Sequence, residues 1–146
     1  MDRRLLILVA LLAPSVATAQ SPAFRDVINL ESVGSPAISP DGKAVAYTVR
    51  TTDWKDNRFD AEIWLWREGS GSIQLTRTPK GSSGSPRWSP DGKWIGFIAE
   101  RDGRQQLYVI NANGGEAVRL TWLPQGVSSF AWSPAGGKIA RVAPDP

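Results

Sequence analysis

A nine-residue motif that occurs twice, with a third degraded copy, constrains this chain more than any other feature. Residues 35–43 read SPAISPDGK and residues 85–93 read SPRWSPDGK, so seven of nine positions are identical. The third copy, SFAWSPAGGK at 129–138, has Ala in place of Asp and one apparent added residue. Ser39, Ser89 and Ser133 are separated by 50 and 44 residues. Repeats of this period that are rich in Gly, Pro and Trp are typical of β-propeller blades.

Each repeat predicts a β-hairpin. Pro40 presets φ for the second position of a type I turn, Asp41 tolerates the third, and Gly42 can take the positive φ of the following bulge. Apolar runs of strand length follow at 45–49 and 94–98, then at 63–66 and 107–110. Short strands ending in Leu-Thr close each unit. With the stretch before Ser-Pro counted as the innermost strand, each unit has four strands.

The predicted fold is therefore all-β, a partial propeller of four-stranded antiparallel blades. We predict a lead-in at 20–34 and a propeller at 35–146, with units at about 35–78 and 85–121 and an incomplete unit at 127–146. Propellers need about four to eight blades of about 45 residues, so this chain cannot close a ring. We expect a piece of a longer protein, the alternative being assembly of several copies into one ring.

The first 19 residues predict a secretory signal peptide. A basic start, an apolar run over 5–13 and the Ala-Thr-Ala at 17–19 predict cleavage after Ala19 and export to the periplasm or medium. The apolar run is too short to span a bilayer, so no stable membrane anchor is expected. The remaining chain has a predicted net charge of +2 with scattered basic residues, which argues against nucleic-acid binding.

The residue types exclude most enzyme chemistry. The chain has no Cys and no His, so it cannot hold a thiolate zinc site, a cysteine nucleophile or a Ser-His-Asp triad. No Gly-x-Ser-x-Gly occurs, and the Gly-Ser stretches at 69–72 and 81–85 are interpreted as turns or linkers. We therefore predict no catalytic residue, no cofactor and no metal site, and a chain that is inactive alone.

Several residues admit a structural and a functional interpretation. Trp64, Trp66, Trp88 and Trp132 are predicted to pack in the core or between blades, whereas Trp54 and Trp122 are the expected surface aromatics. The segment 51–61 accounts for the six extra residues of the first unit. It is interpreted as a solvated loop whose aromatic residues fold back on the blade, or as a rim loop that contacts a substrate or second domain.

Two sets of charged residues also admit both a structural and a functional interpretation. Asp41 and Asp91 each supply one carboxylate per turn, which favours turn capping over a calcium loop. The charged stretch 100–104 is predicted to be a solvated hairpin loop, with the alternative that an Arg reaches an interdomain or substrate carboxylate.

The motifs carry a family resemblance. The Ser-Pro-Asp-Gly-Lys turns, the strands at 63–65 and 107–109, Gly-Gly-Glu at 114–116 and the Leu-Thr pairs resemble the repeats of TolB-like and WD40-like propellers. The segments 33–36, 45–49 and 86–93 are similar to the start of the propeller in exported serine peptidases of the prolyl oligopeptidase family, in its acylaminoacyl-peptidase-like or dipeptidyl-peptidase-like branch. The resemblance covers residues 24 to 142.

This resemblance implies a function for the longer protein. In that family the propeller precedes and caps an α/β-hydrolase domain, restricts entry to short peptides and helps to anchor the substrate's N-terminal end. The expected partners are thus a hydrolase domain in cis and peptide substrates, and the chain is a scaffold and substrate gate. The alternative is a noncatalytic TolB-like periplasmic propeller that binds proteins.

Overall fold

The computed structural model describes residues 23–145, and its regular secondary structure is almost entirely antiparallel β-sheet. One short helix, α1, precedes ten strands. The elements are α1 (Phe24–Ile28), β1 (Ser32–Ile38), β2 (Ala44–Asp53), β3 (Arg58–Arg67), β4 (Gly71–Gln74), β5 (Ser83–Trp88), β6 (Trp94–Glu100), β7 (Gln105–Asn111), β8 (Val118–Arg119), β9 (Ser129–Trp132) and β10 (Ile139–Val142). Within the described range, no helix has the length and apolar character needed to cross a bilayer. The predicted signal peptide lies outside the described residues.

The strands form three sheets in chain order. Blade 1 has the order β1-β2-β3-β4, blade 2 the order β5-β6-β7-β8, and blade 3 pairs β9 with β10. Every pairing is antiparallel. The predicted fold class, two four-stranded blades and part of a third, is confirmed.

The repeated turns form the predicted hairpin connections. The Gly42 N–H donates to the Ser39 carbonyl oxygen at 2.9 Å, the Ser39 N–H donates to the Ala44 carbonyl at 2.8 Å, and Gly42 has φ +74°. The third copy closes over the same spacing, because the Ser133 N–H donates to the Lys138 carbonyl at 2.8 Å. The prediction of an added residue there is wrong, since Gly137 simply stands where the other copies have Lys.

The start of the motif lies inside the innermost strand and not after it. β1 and β5 both continue through Ser-Pro, and their pairing shifts register between Gly34 and Ala37 and between Gly84 and Arg87. At each shift a serine, Ser35 or Ser85, takes a positive φ of 48° or 54°. Proline has no N–H to donate, so Ser-Pro suits the unpaired part of a bulge.

The extra length of the first unit is an extended hairpin. The ladder between β2 and β3 continues to the pair Asp53 and Arg58, and both strands have 10 residues where β6 and β7 have 7. The prediction of a solvated loop at 51–61 is therefore wrong in kind, although the position of the added residues is correct. Only residues 54–57 connect the two strands.

Blades 1 and 2 stack face to face through alternate residues. Ala44, Ala46, Ile63 and Leu65 of blade 1 are buried against a set of blade 2 residues. That set is Ile95, Phe97, Ala99, Tyr108, Ile110 and Ala112. The opposite face of blade 2 supplies Ile98 and Leu107 to a second core with Val127 and Phe130. Blade 2 thus has one face toward blade 1 and the other toward blade 3.

Two tryptophans join neighbouring inner strands. Trp88 Nε1 donates to the Ala37 carbonyl at 2.9 Å, and Trp132 Nε1 donates to the Arg87 carbonyl at 3.1 Å. Donors and acceptors occupy equivalent repeat positions, so the predicted interblade role of these two side chains is confirmed.

The predicted core or interblade packing is not seen for Trp66 among the described residues. This side chain is 40% exposed, and Trp64 beside it is half-buried. Both belong to the face of blade 1 that would contact a preceding blade. Local strand pattern does not reveal which blade faces have a neighbour, so sequence reasoning could not separate Trp66 from Trp88.

Candidate functional site at the hairpin rim

One end of the blades gathers charged and aromatic side chains. This end, the hairpin rim, is made of the turns at 54–57 and 101–104 and the interblade linkers at 75–82 and 120–128. A cleft of about 590 Å³ opens there between blades 1 and 2. We call it the rim cleft, and its lining is Asp56, Arg58, Phe59, Lys80, Gly81, Ser82, Glu100, Arg101, Gly103 and Gln105.

Arg58 ties the extended hairpin to the linker. Its guanidinium lies 3.5 Å from carboxylate oxygens of Asp53 and Asp60 and 3.9 Å from one of Asp56. Its Nη1 also donates to the Gly81 carbonyl at 3.2 Å. The charge of Arg58 is therefore matched within the hairpin, and its role is positional.

The linker forms a close-fitting wall of the cleft. Gly81 has φ +120°, and a Cβ built on it would lie 1.9 Å from the Glu100 carbonyl oxygen. The Glu100 N–H donates to the Ser82 carbonyl at 3.1 Å, and Ser82 Oγ accepts from the Ala61 N–H at 3.1 Å. Only glycine permits this approach of two backbones, so the walls are set by the fold itself.

Arg101 differs from the other basic residues of the rim. Its guanidinium carbon lies 4.7 Å from the Tyr108 ring centroid, a stacking distance. Its Nε is buried and has no hydrogen-bond partner among the described residues. Arg104, in the same predicted charged stretch, is exposed. Within the charged stretch 100–104, Arg101 therefore lines the rim cleft, whereas Arg104 lines a separate, smaller cleft with Gln125.

The rim also carries exposed aromatic residues. Trp54 is 50% exposed and Trp122 70% exposed, as predicted for these two. Trp54 does not fold back on the blade, because its Nε1 donates to Asn29 Oδ1 at 2.6 Å and Arg25 lies over its ring. The segment after α1 is thereby attached to the extended hairpin.

The two aspartates of the turns lie at the opposite end of the blades. Asp41 Oδ1 accepts from Ser39 Oγ at 2.5 Å and from the Lys43 N–H at 3.1 Å, and Asp91 makes the equivalent bonds. The predicted capping role is confirmed. The Ser39 hydroxyl bond, followed by the Lys43 N–H, lowers the pKa of Asp41, and the Ser89 hydroxyl does the same for Asp91. Nowhere in residues 23–145 do three or more potential metal ligands cluster.

The Gly-Ser stretches have local structural roles. Ser70 lies in the β3–β4 turn, and Ser72 Oγ accepts from Tyr47 Oη at 3.0 Å. Ser83 Oγ is 2.8 Å from Thr78 Oγ1. Residues 83–85 belong to β5, so the prediction of a turn or linker for the second stretch holds only at 81–82.

Comparison with known families gives the same architecture. The family model for the TolB beta propeller domain matches residues 15–145. The chain belongs to the TolB β-propeller family. This TolB-type propeller has two four-stranded blades, and the Trp88 bond joins blade 2 to blade 1.

Relatives of this TolB-type propeller include proteins named as peptidases. It is 39% identical over 116 residues to the uncharacterized peptidase YuxL of Bacillus subtilis, covering 78% of this chain and 18% of that protein. It is 37% identical over 108 residues to dipeptidyl-peptidase 5 of Porphyromonas gingivalis, covering 73% of this chain and 16% of that protein. The chain thus spans less than a fifth of the length of these relatives. The predicted resemblance to a peptidase propeller is confirmed.

A solved TolB is also similar. The putative TolB of Agrobacterium tumefaciens superimposes with a TM-score of 0.60 at 30% identity, over 80% of this chain and 39% of that one. The TolB-type propeller described here therefore has relatives of both kinds, proteins named as peptidases and proteins named as TolB.

Proposed function

We propose that this chain is the N-terminal propeller portion of an exported serine peptidase of the prolyl oligopeptidase family. In that protein it acts as a scaffold and as a substrate gate for an α/β-hydrolase domain in cis. The observation that carries the proposal is an uncovered blade face that matches a buried one position by position.

That face belongs to blade 1. Val45 pairs with Trp66 and Tyr47 with Trp64, at the repeat positions where blade 2 has Ile95 with Ile110 and Phe97 with Tyr108. In blade 2 these four residues are buried against blade 1, whereas in blade 1 three of the four are only half-buried and Trp66 is 40% exposed. An apolar face of this kind is costly in water. A further blade of the same type is the cover that the repeat predicts.

Two observations favour a peptidase as the longer protein. The relatives with the highest identity quoted above are named as peptidases and are more than five times as long as the matched region. The chain has no His, so a serine-hydrolase triad would come from another domain. The rim, with its cleft and exposed aromatic residues, offers a surface for substrate or for that domain.

Export is part of the proposal. The basic start, the apolar run and Ala17-Thr18-Ala19 favour a cleaved signal peptide. Amino-terminal sequencing of protein recovered from the periplasm or medium is expected to begin at Gln20. Recovery of the intact leader in the cytoplasm would contradict export without bearing on the propeller.

The peptidase proposal is tested by the reading frame that continues past codon 146. We expect further Ser-Pro-Asp-Gly blades, then Gly-x-Ser-x-Gly, Asp and His in that order. The encoded protein should react with a fluorophosphonate probe at that serine, and the Ser→Ala variant should not. A continued frame that holds blades and no such serine would overturn the proposal.

The second candidate is a noncatalytic TolB-like propeller that binds proteins. It is favoured by the match of the TolB family model to 15–145 and by the 30% identity to a solved TolB. Under this alternative the continued frame encodes blades alone, and the exported protein captures a periplasmic partner without reacting with the probe.

A further inference from the structure

The rim cleft holds two cationic side chains without a matched anion. The four ion pairs within residues 23–145 involve Arg58 and Arg119, and neither Lys80 nor Arg101 takes part in any of them. Arg58, which also lines the cleft, is already paired with Asp53, Asp56 and Asp60. Lys80 and Arg101 therefore line the cleft without an ion-pair partner among the described residues.

Arg101 is held rigidly. Its guanidinium stacks on Tyr108, which is 4% exposed, and the Tyr108 ring stacks on Phe97 with centroids 5.7 Å apart. Phe97 is fully buried in the core between the blades. The plane of the guanidinium is thus anchored to the core, so little side-chain entropy is left to lose on binding a ligand.

One nitrogen of the Arg101 side chain has no hydrogen-bond partner among the described residues. Nε is buried and has no hydrogen-bond acceptor within residues 23–145, which is costly for a donor unless a ligand compensates nearby. Outside the ion pairs of Arg58, the lining has two basic residues, Lys80 and Arg101, and one acidic residue, Glu100. The group that suits a fixed guanidinium fork and a nearby ammonium is a planar anion with two oxygens.

We propose that the rim cleft binds a peptide carboxylate, with Arg101 as the bidentate donor and Lys80 as a second cation. The carboxylate is either an acidic side chain or a free C-terminus. The inference concerns this chain alone, because binding at the cleft requires no hydrolase domain. If the cleft binds no carboxylate, the peptidase proposal is unaffected. If the longer protein is not a peptidase, carboxylate binding at the cleft is equally unaffected.

The test measures ligand-dependent hydrogen exchange in the full chain at low protein concentration. Acetyl-Asp-Glu-amide is titrated against its uncharged counterpart acetyl-Asn-Gln-amide at matched ionic strength. A second pair, acetyl-Ala-Ala with a free carboxylate and the same peptide amidated, distinguishes a terminal carboxylate from a side-chain one. We expect saturable protection in the segments 79–85 and 99–106 with at least one acidic ligand and with neither neutral control.

Variants decide which arginine acts. Arg101→Met keeps an unbranched apolar chain over Tyr108 and removes the fork, and it should raise the half-saturating concentration at least about tenfold. Arg101→Lys should raise it by about threefold or more, since the charge remains without the bidentate geometry. Arg104→Met removes an equal charge from the exposed part of the same turn and should leave the half-saturating concentration unchanged.

Three outcomes would overturn the proposal. They are no saturable protection with either acidic ligand, equal protection by the neutral controls, and an equal loss of affinity in the Arg101→Met and Arg104→Met variants. Baseline exchange of segment 105–111 without ligand verifies that Arg101→Met is folded. If that variant is not folded, the comparison of Arg101→Lys with Arg104→Met decides, and equal affinity in these two counts against the proposal.

Discussion

At the residue scale, each Ser-Pro-Asp-Gly turn is closed by a serine hydroxyl that both donates and accepts. Ser39 Oγ donates to Asp41 and accepts from the Ala44 N–H at 2.9 Å. In the third copy, where Ala135 replaces the aspartate, the corresponding bond from the Lys138 N–H to Ser133 Oγ is 3.2 Å long. The carboxylate is therefore part of the turn and not only a tolerated residue.

The lowered pKa of Asp41 and Asp91 predicts an acid dependence of stability. A carboxylate whose folded pKa lies below its ordinary value of 3.8 stabilises the fold fully above that value. The contribution is lost as the pH falls through the lowered folded pKa. The double variant Asp41→Asn and Asp91→Asn should therefore show a shallower loss of urea midpoint below about pH 4.

Ala135→Asp is the complementary variant. It restores the carboxylate beside Ser133 and should steepen the same acid dependence. If the pH dependence of the urea midpoint is unchanged in both variants, protonation of the turn carboxylates does not contribute to the loss of stability in acid.

Gly96 should be intolerant of even one added carbon. A Cβ there would lie 2.7 Å from Phe130 Cε2 and 3.3 Å from Trp132 Nε1. Gly96→Ala should cost about 1–3 kcal/mol of unfolding free energy by overpacking, measured by urea denaturation. Gly84→Ala, where a Cβ meets nothing within 4 Å, is the control. Equal effects of the two substitutions would contradict the packing of blade 3 on blade 2.

At the element scale, the contact between successive inner strands depends on a repeated tryptophan bond. Ile38 occupies this position in blade 1 and is 69% exposed, so blade 1 has no donor for a preceding blade there. The repeat is thus asymmetric, because the bond exists only where an indole N–H reaches the neighbouring strand.

Trp88→Phe removes the bond to the Ala37 carbonyl and keeps most of the ring. We expect a loss of about 0.5–1.5 kcal/mol in unfolding free energy. The substitution should also accelerate hydrogen exchange more in β1 than in β7. Trp94→Phe alters an indole that is 39% exposed and should be close to neutral. A Trp88→Phe variant no less stable than Trp94→Phe would contradict the interblade role of the bond.

At the scale of the whole molecule, two surfaces within residues 23–145 lack a covering blade. One is the aromatic face of blade 1, and the other is the part of blade 2 around Trp94 and Leu120, which the two strands of blade 3 leave open. Within the described residues, the outer edge of β10 also has no paired strand. Such surfaces promote association.

The chain expressed alone should therefore associate. Val45→Lys with Trp66→Glu, which places a charge pair at opposed positions of the blade 1 face, should reduce association in sedimentation velocity. Trp122→Glu on the rim should not. A wild-type chain that stays monomeric and unfolds in one sharp transition would contradict this prediction.

The sequence by itself determined the blade architecture, because the turn chemistry of Pro, Asp and Gly and the alternation of apolar residues are local properties. It located the extra residues of the first unit and the capping role of Asp41. Only the tertiary structure decided that those residues extend a ladder, that Trp66 is exposed while Trp88 bridges blades, and that Arg101 lines the rim cleft whereas Arg104 does not. Those outcomes depend on which segments meet between sheets, and the spacing of residues within one strand carries no such information.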